Sequence, residues 1–346
     1  MAYTTIKKPS DYFNTVLYTG NGSTNAQTGV GFQPDFTWIK SRSNAENHNL
    51  FDAVRGATKR IRSNGAEAED TRTTSLTAFD SDGFTLGSGS QVNTSGWTFA
   101  SWNWLGANGT SANTDGSISS TVSASTTSGF SIVSYTGTGS LATVGHGLGV
   151  APAMIIMKNR STTNGWEVYH QSLGNTKYMQ LHTTSAEGTS ATRWNNTSPT
   201  STVFTVNTEG GVNSSGGNLI AYCFAEKTGY SKFGSYTGNG NADGTFVYTG
   251  FKPAWVLIKH ASGGTAGGES WNLQDVKRST YNPSIISLFP NTSDADNSTT
   301  NNSLDILSNG FKVRTVDNRL NNSGATYIYM AFAEEPLVGD NPATAR

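Results

Sequence analysis

The chain has 346 residues, 23 Lys and Arg against 24 Asp and Glu, a net charge of −1, and only 14% charged residues, where soluble domains usually carry about 25%. That balance leaves no electrostatic footprint for nucleic acid or anionic lipid. One cysteine excludes an intrachain disulfide framework and a Cys-based zinc site, and no apolar run approaches the length of a membrane helix.

Polarity comes mainly from Thr, Ser, Asn and Gly, which favour turns and strand surfaces over helix interiors. Aromatic residues make up 11%, enough bulk for several packed cores. The N-terminus shows no apolar leader core, so no secretory signal is expected.

In chain order, residues 1–8 read as a short arm. A first module, 9–108, opens with a strand over 12–18 and a turn, Tyr18-Thr-Gly-Asn-Gly22. Pro34-Asp-Phe-Thr-Trp-Ile-Lys40 follows, a short apolar run suited to a strand buried on both faces, with Pro at its start and Lys at its exit. The Lys is expected to be an exposed, solubilising strand end. His48-Asn-Leu-Phe-Asp52 then reads as another strand. Asp82-Gly83 signals a hairpin, and the aromatic run Trp97–Trp104 closes the module at the expected centre of its sheet.

Residues 109–128, rich in Ser, Thr and Asn, read as a linker. The second module, 129–226, repeats the plan. It has a strand over 129–135, Tyr135-Thr-Gly-Thr-Gly139, Pro152-Ala-Met-Ile-Ile-Met-Lys158, Trp166-Glu-Val-Tyr-His170 and Leu219–Glu226. The third, 227–336, does so again, with Tyr236-Thr-Gly-Asn-Gly240, Pro253-Ala-Trp-Val-Leu-Ile-Lys259, Trp271-Asn-Leu-Gln-Asp275, Asn309-Gly310 and Tyr327–Glu334. Residues 337–346 form a short polar tail. Tyr-to-Pro spacings are 16, 17 and 17, and Pro-to-Lys is 6 in each copy. The chain is therefore a threefold internal repeat. The fold class expected is all-β, as three tandem homologous β-sandwich modules, lectin-like or jelly-roll-like, arranged either as a pseudo-threefold knob or as a row.

The chemistry-bearing residues form no catalytic pattern. His48, His146, His170, His182 and His260 lack metalloprotease spacing, and His170 with His182 has no third ligand nearby. Asp80 with Asp82 and Asp294 with Asp296 are too few oxygens for a calcium cage. Glu226 and Glu334 occupy one position in different repeats, which reports ancestry and not an acid/base pair. Cys223, in an apolar run, reads as a buried small hydrophobe. No catalytic residue, cofactor or metal is expected. The aromatic candidate for glycan contact is Trp194, in the loop Thr192-Arg-Trp-Asn-Asn196; Trp166 and Trp271, at repeated strand positions, read as core. Any binding is expected in the loops that differ between copies: 44–49, 183–196, 263–268 and 291–302.

The Tyr-Thr-Gly-Asn-Gly turn, the Pro-to-Lys strand, Trp-x-Leu/Val and the closing Ala-Phe-Ala-Glu together resemble the repeat module of marine bacteriophage structural proteins, including tail-fibre and other virion proteins. The likeness runs over roughly residues 11–336. It implies lectin-like β-sandwich units in a virion component without enzyme activity. Copy one departs most, with His48 in place of Trp and Trp104 in place of the closing Glu, as if it met a different neighbour. The function expected is a virion surface protein, either head decoration or short tail fibre, assembled in the host cytoplasm. Its partners would be other capsid or tail proteins, with homo-oligomers allowed and no nucleic acid or membrane insertion. The alternative is a carbohydrate-binding adhesin that reads host-surface glycans through loop aromatics. A polysaccharide depolymerase ranks third.

Overall fold

The computed structural model describes residues 3–264, 268–340 and 342–344. Each repeat builds an antiparallel sheet with one strand order: entry, closing, lysine-bearing, fourth. In repeat one these are Phe13–Thr19, Thr98–Trp104, Phe36–Ser41 and Asn49–Asp52. In repeat two they are Phe130–Thr136, Asn218–Phe224, Met154–Asn159 and Trp166–His170, inside a longer sheet. In repeat three they are Ser231–Thr237, Thr326–Pro336, Phe251–Ser262 and Asn272–Asp275. The chain is all-β, and the closing strand pairs on both sides in every copy.

The register corrects one correspondence. Phe13 and Phe36 both pair with Trp104, Phe130 and Met154 with Phe224, and Ser231 and Trp255 with Phe332. Trp104 is thus equivalent to Phe224 and Phe332, and Gly106 is the residue that stands where Glu226 and Glu334 do. All three large rings fill the same slot. Their centroids form a triangle: Trp104 to Phe224 6.4 Å, Trp104 to Phe332 5.6 Å, Phe224 to Phe332 6.0 Å. The three sheets therefore turn one face each toward a common axis instead of standing in a row.

Alternation along the strands divides the core accordingly. Met154 and Ile156 join Phe36, Trp38, Trp255 and Leu257 in the shared axial core. Ile155 and Met157 point away, into a second core under the small sheet of repeat two, and Val256 and Ile258 do the same in repeat three. The lysine strand is buried on both faces for this reason. The outer layers are short strands: Asn25–Gln27, Leu76–Asp80 and Gly83–Leu86 in repeat one; Ala142–Gly145 and Val203–Val206 in repeat two; Phe246–Tyr248, Leu304–Leu307 and Gly310–Val313 in repeat three. Cys223 lies fully buried in the outer core of repeat two, and burial pushes its thiol well up.

The Tyr-Thr-Gly-x-Gly turn is the seat of a one-turn helix from the same repeat. Tyr18, Tyr135 and Tyr236 donate through their hydroxyls to the carbonyls of Val92, Val212 and Leu320. A Cβ on the first glycine would meet the carbonyl oxygen of Thr94, Ser214 or Asn322 at 2.2–2.3 Å, so only glycine fits. The next helix residue is a fully buried asparagine: Asn93, Asn213 or Asn321. Asn321 donates to the Asn241 and Thr315 carbonyls and accepts from the Asn239 amide. Asn321→Ala strands those backbone groups and is expected to cost about 2–3 kcal/mol in chemical denaturation. The signal, Val/Leu-Asn-x-Ser-Gly at 92–96, 212–216 and 320–324, is present in the sequence but outside the motifs singled out above.

Three expectations change. The stretch 109–128 is not a free linker. It carries strands Ser111–Asn113 and Ser120–Ser125, which extend the sheet of repeat two, with Val122 and the preceding Ile118 buried in its outer core. The arm is docked: Ile6 sits in the axial core, Thr4 donates to the Thr228 carbonyl at 2.6 Å and Tyr3 to that of Gly250 at 2.8 Å. The hairpin turns are Ser81-Asp82 and Ser308-Asn309, with Gly83 and Gly310 as the first residues of the following strands. Glycine is needed there because a Cβ would lie 1.9–2.0 Å from the neighbouring strand's Gln27 or Val247 carbonyl.

Candidate functional site

The densest polar chemistry lies at the seams between repeats, built from the lysine and fourth strands. Lys40, Lys158 and Lys259 are fully buried, which corrects their reading as exposed strand ends. Lys158 and Lys259 exit against the preceding repeat, and their ammonium groups tie carbonyls across the seam. Lys158 donates to the Ala66 carbonyl of repeat one at 2.8 Å and to its own repeat's Asn164 carbonyl. Lys259 donates to Thr184 of repeat two at 2.8 Å and to Glu269 at 2.5 Å. Lys40 holds the Ser41 and Asn44 carbonyls and feels Asp296 and Asp294 of repeat three.

The fourth strand reaches both ways. The residue at or just before its start donates backward: Trp166 Nε1 to Arg62 O at 2.7 Å, Trp271 Nε1 to Gln180 O at 3.0 Å, and His48 Nε2 to Phe289 O at 3.1 Å. Its last residue reaches forward: Asp52 to the Tyr222 hydroxyl at 2.7 Å, His170 to the Tyr329 carbonyl at 3.2 Å, and Asp275 to Trp102 Nε1 at 3.1 Å. Backbone bonds repeat the cycle, from Glu69 N to Arg160 O, Glu187 N to Ala261 O and Asp296 N to Arg42 O. Repeat one thus locks to two, two to three, and three to one.

Two seams carry arginine–carboxylate clusters. Glu69 accepts from Arg55 at 3.1 Å and from Arg160 at 2.8 Å; Asp296 accepts from Arg278 and Arg42, each at 2.9 Å. Arg55 and Arg278 also pair with Asp52 and Asp275, all four fully buried. At the third seam His170 and Leu173 stand in place of Asp and Arg, and Glu187 pairs with Lys177.

The histidines hydrogen-bond within the fold; the buried His260 does so through Nε2 alone, to Gly263 O at 3.0 Å, and its Nδ1 has no partner among the described residues. The Trp38 indole can only donate, so His48 Nδ1 accepts from it at 2.9 Å and Nε2–H goes to Phe289. The Ser172 and Leu148 amides likewise fix His170 and His146 as Nε2–H tautomers, and His182 Nδ1 accepts from Trp166 N. Among the described residues no group of three His, Cys, Asp or Glu is placed to hold a metal. Asp82 accepts from the Gly29 and Gly31 amides, and Glu226 and Glu334 pair with Lys232 and Lys252.

Trp194 is corrected as well. It is 2% exposed, its Nε1 donates to Lys177 O at 3.0 Å, and its ring packs edge-on to Tyr169 at 6.0 Å. A one-turn helix, Ala191–Trp194, capped by Ser190, rotates it into the outer core. The variable loops 44–49, 183–196 and 291–302 form the seams more than an open binding surface; of 263–268, residues 265–267 lie outside the described residues. A cleft of about 210 Å³ runs between Lys7, Lys8, Glu334 and Asp340, and the axial void is about 10 Å³, against roughly 300–1,000 Å³ for small-molecule pockets.

Burial sets the pH response. It lowers Lys40 and Lys158 to about 8 and Lys259 to about 7, from 10.5. The unfolded chain then holds more protons from about pH 7 to 10, so stability rises with pH across that window. Burial lowers His170 to about 4, and burial with the Lys40 ammonium puts His48 well below its usual range. Unfolded imidazoles protonate first, so stability falls from about pH 6.5 downward. Buried Tyr18, Tyr135, Tyr222, Tyr230 and Tyr236 are held well above 10, so stability is lost again above about pH 10. Urea midpoints at about pH 5, 7, 9 and 11 are expected to peak near 9.

No helix among the described residues is long and apolar enough to cross a membrane. No curated protein matches the chain, and no solved structure does. A family model described as a domain of unknown function, DUF7483, matches residues 8–336, which takes in all three sheets and every seam. The chain therefore belongs to the DUF7483 family.

Proposed function

We propose that the chain is a non-enzymatic structural protein of a bacteriophage virion, displayed on the particle surface as head decoration or as a short tail fibre. The observation that carries this reading is the cyclic interlock. Buried lysines, tryptophans, histidines and aspartates, the residue types an enzyme would use, are spent on tying three repeats to one another. A body closed in this way suits a part that must persist outside the cell without disulfides. Its low charge suits close placement beside other capsid or tail proteins. The resemblance of the repeats to phage structural modules points the same way.

Mass mapping and immunogold labelling of purified particles test this directly. A fixed copy number at one location on the particle is expected. Absence of the chain from purified particles would overturn the reading.

A further inference from the structure

We propose that the outer sheet of repeat three carries a stacking platform for a neutral pyranose of a surface glycan, an inference that rests on the surface display proposed above. The strand Phe246–Tyr248 is an edge strand. Alternation sends Val247 inward, 6% exposed, and Phe246 and Tyr248 outward on one face, 43% and 54% exposed. Tyr3, 37% exposed, lies beside them, its hydroxyl on Gly250 O and next to the Tyr248 hydroxyl. Exposed aromatics gathered this way are unusual on a surface otherwise built from Thr, Ser, Asn and Gly.

The fold does not ask for them. Pairing with the next strand places Phe246 at the position of Ala26 and Thr143, and Tyr248 at that of Thr28 and Gly145. Two of three copies form the same layer without an aromatic there. Shielding of backbone accounts for part of one ring only. Phe246 lies over Gly310, whose counterpart Gly83 in repeat one is covered by the Val30 side chain. Tyr248 pairs with Gly310 and so has no side chain opposite it.

The rim selects the ligand class. Lys312 stands opposite Phe246 and pairs with Asp243 at 2.7 Å. Arg314 joins Asp243 at 3.2 Å and Asp305 at 3.3 Å. Two cations face two carboxylates, so the rim has no net preference for an ion. It does offer donors and acceptors at the height of the rings. A pyranose presents an apolar C–H face ringed by hydroxyls, which matches an aromatic floor with a mixed polar rim. Three partly exposed rings fall far short of the roughly 800 Å² per partner that a stable protein interface buries.

The test uses the full chain against the methyl pyranosides of glucose, galactose, mannose and N-acetylglucosamine, and an array of bacterial-surface oligosaccharides. Saturable binding with shifts in the Tyr248 and Phe246 ring signals is expected. Tyr248→Ala should weaken it about tenfold or more with an unchanged melting temperature, because repeats one and two fold with Thr28 and Gly145 there; Phe246→Ala should weaken it likewise, with a small drop in melting temperature from uncovering Gly310. No saturable binding, or binding that survives the double substitution, would overturn the platform. So would self-association abolished by the same substitutions, which would assign the patch to a second copy. Because the assay needs no particle, its failure leaves the virion reading standing, and absence from particles leaves the platform standing.

Discussion

Trp104→Ala is expected to cost about 3–5 kcal/mol of stability, read as a drop in the denaturant midpoint, the largest effect of any single truncation on the axis. Trp104 is fully buried and touches Phe13, Phe36, Phe224, Trp255 and Phe332, so its ring holds parts of all three repeats. Removing it opens a cavity that no single sheet can close by relaxing, since the walls belong to different repeats. Trp104→Phe provides the contrast. The equivalent residues are already Phe224 and Phe332, and the Trp104 indole N–H has no hydrogen-bond partner. Losing an unpaired donor offsets part of the lost volume, so a cost under about 1.5 kcal/mol is expected.

The second large effect concerns the buried ion pairs. Arg278→Ala leaves Asp275 buried with only the Trp102 indole and nearby amides, and is expected to cost about 3–5 kcal/mol. It also releases Asp296, which loses one of its two arginines across the seam to repeat one. Replacing the pair together, Asp275→Asn with Arg278→Leu, should cost less than Arg278→Ala alone. No charge is then left unpaired, and the Asn oxygen still accepts a hydrogen bond at the position where Asp275 meets the Trp102 indole. Chemical denaturation of the three variants side by side decides it. A double variant as unstable as the single would show that the corner needs charge and not merely shape.

Much of the fold was legible because it is local and repeated. The buried lysine strand and the central closing strand follow from short apolar and aromatic runs recurring at fixed spacing, and Trp166 and Trp271 read as core from their strand positions. Cyclic closure was not legible, because it lives in side-chain contacts between residues 75 to 254 positions apart. Lys40, Lys158 and Lys259 show the difficulty. A lysine after an apolar run looks like a solvated end until a neighbouring repeat's carbonyls are placed over it. Trp194 failed for a related reason. A polar loop suggested exposure, while a single helical turn, too short to give a periodic signal, carries the ring inward. The aromatic pair at 246 and 248 was visible in the sequence but unremarked. Its meaning came only with the register that set it against Ala26 and Thr143.

The central claim is that three repeats close into one cooperative body around a shared core. Scanning calorimetry of the full chain tests it most directly. The account predicts a single transition, with a calorimetric enthalpy on the order of 240 kcal/mol near 60 °C that agrees with the van't Hoff value. Three separable transitions, each with about a third of that enthalpy, would contradict it.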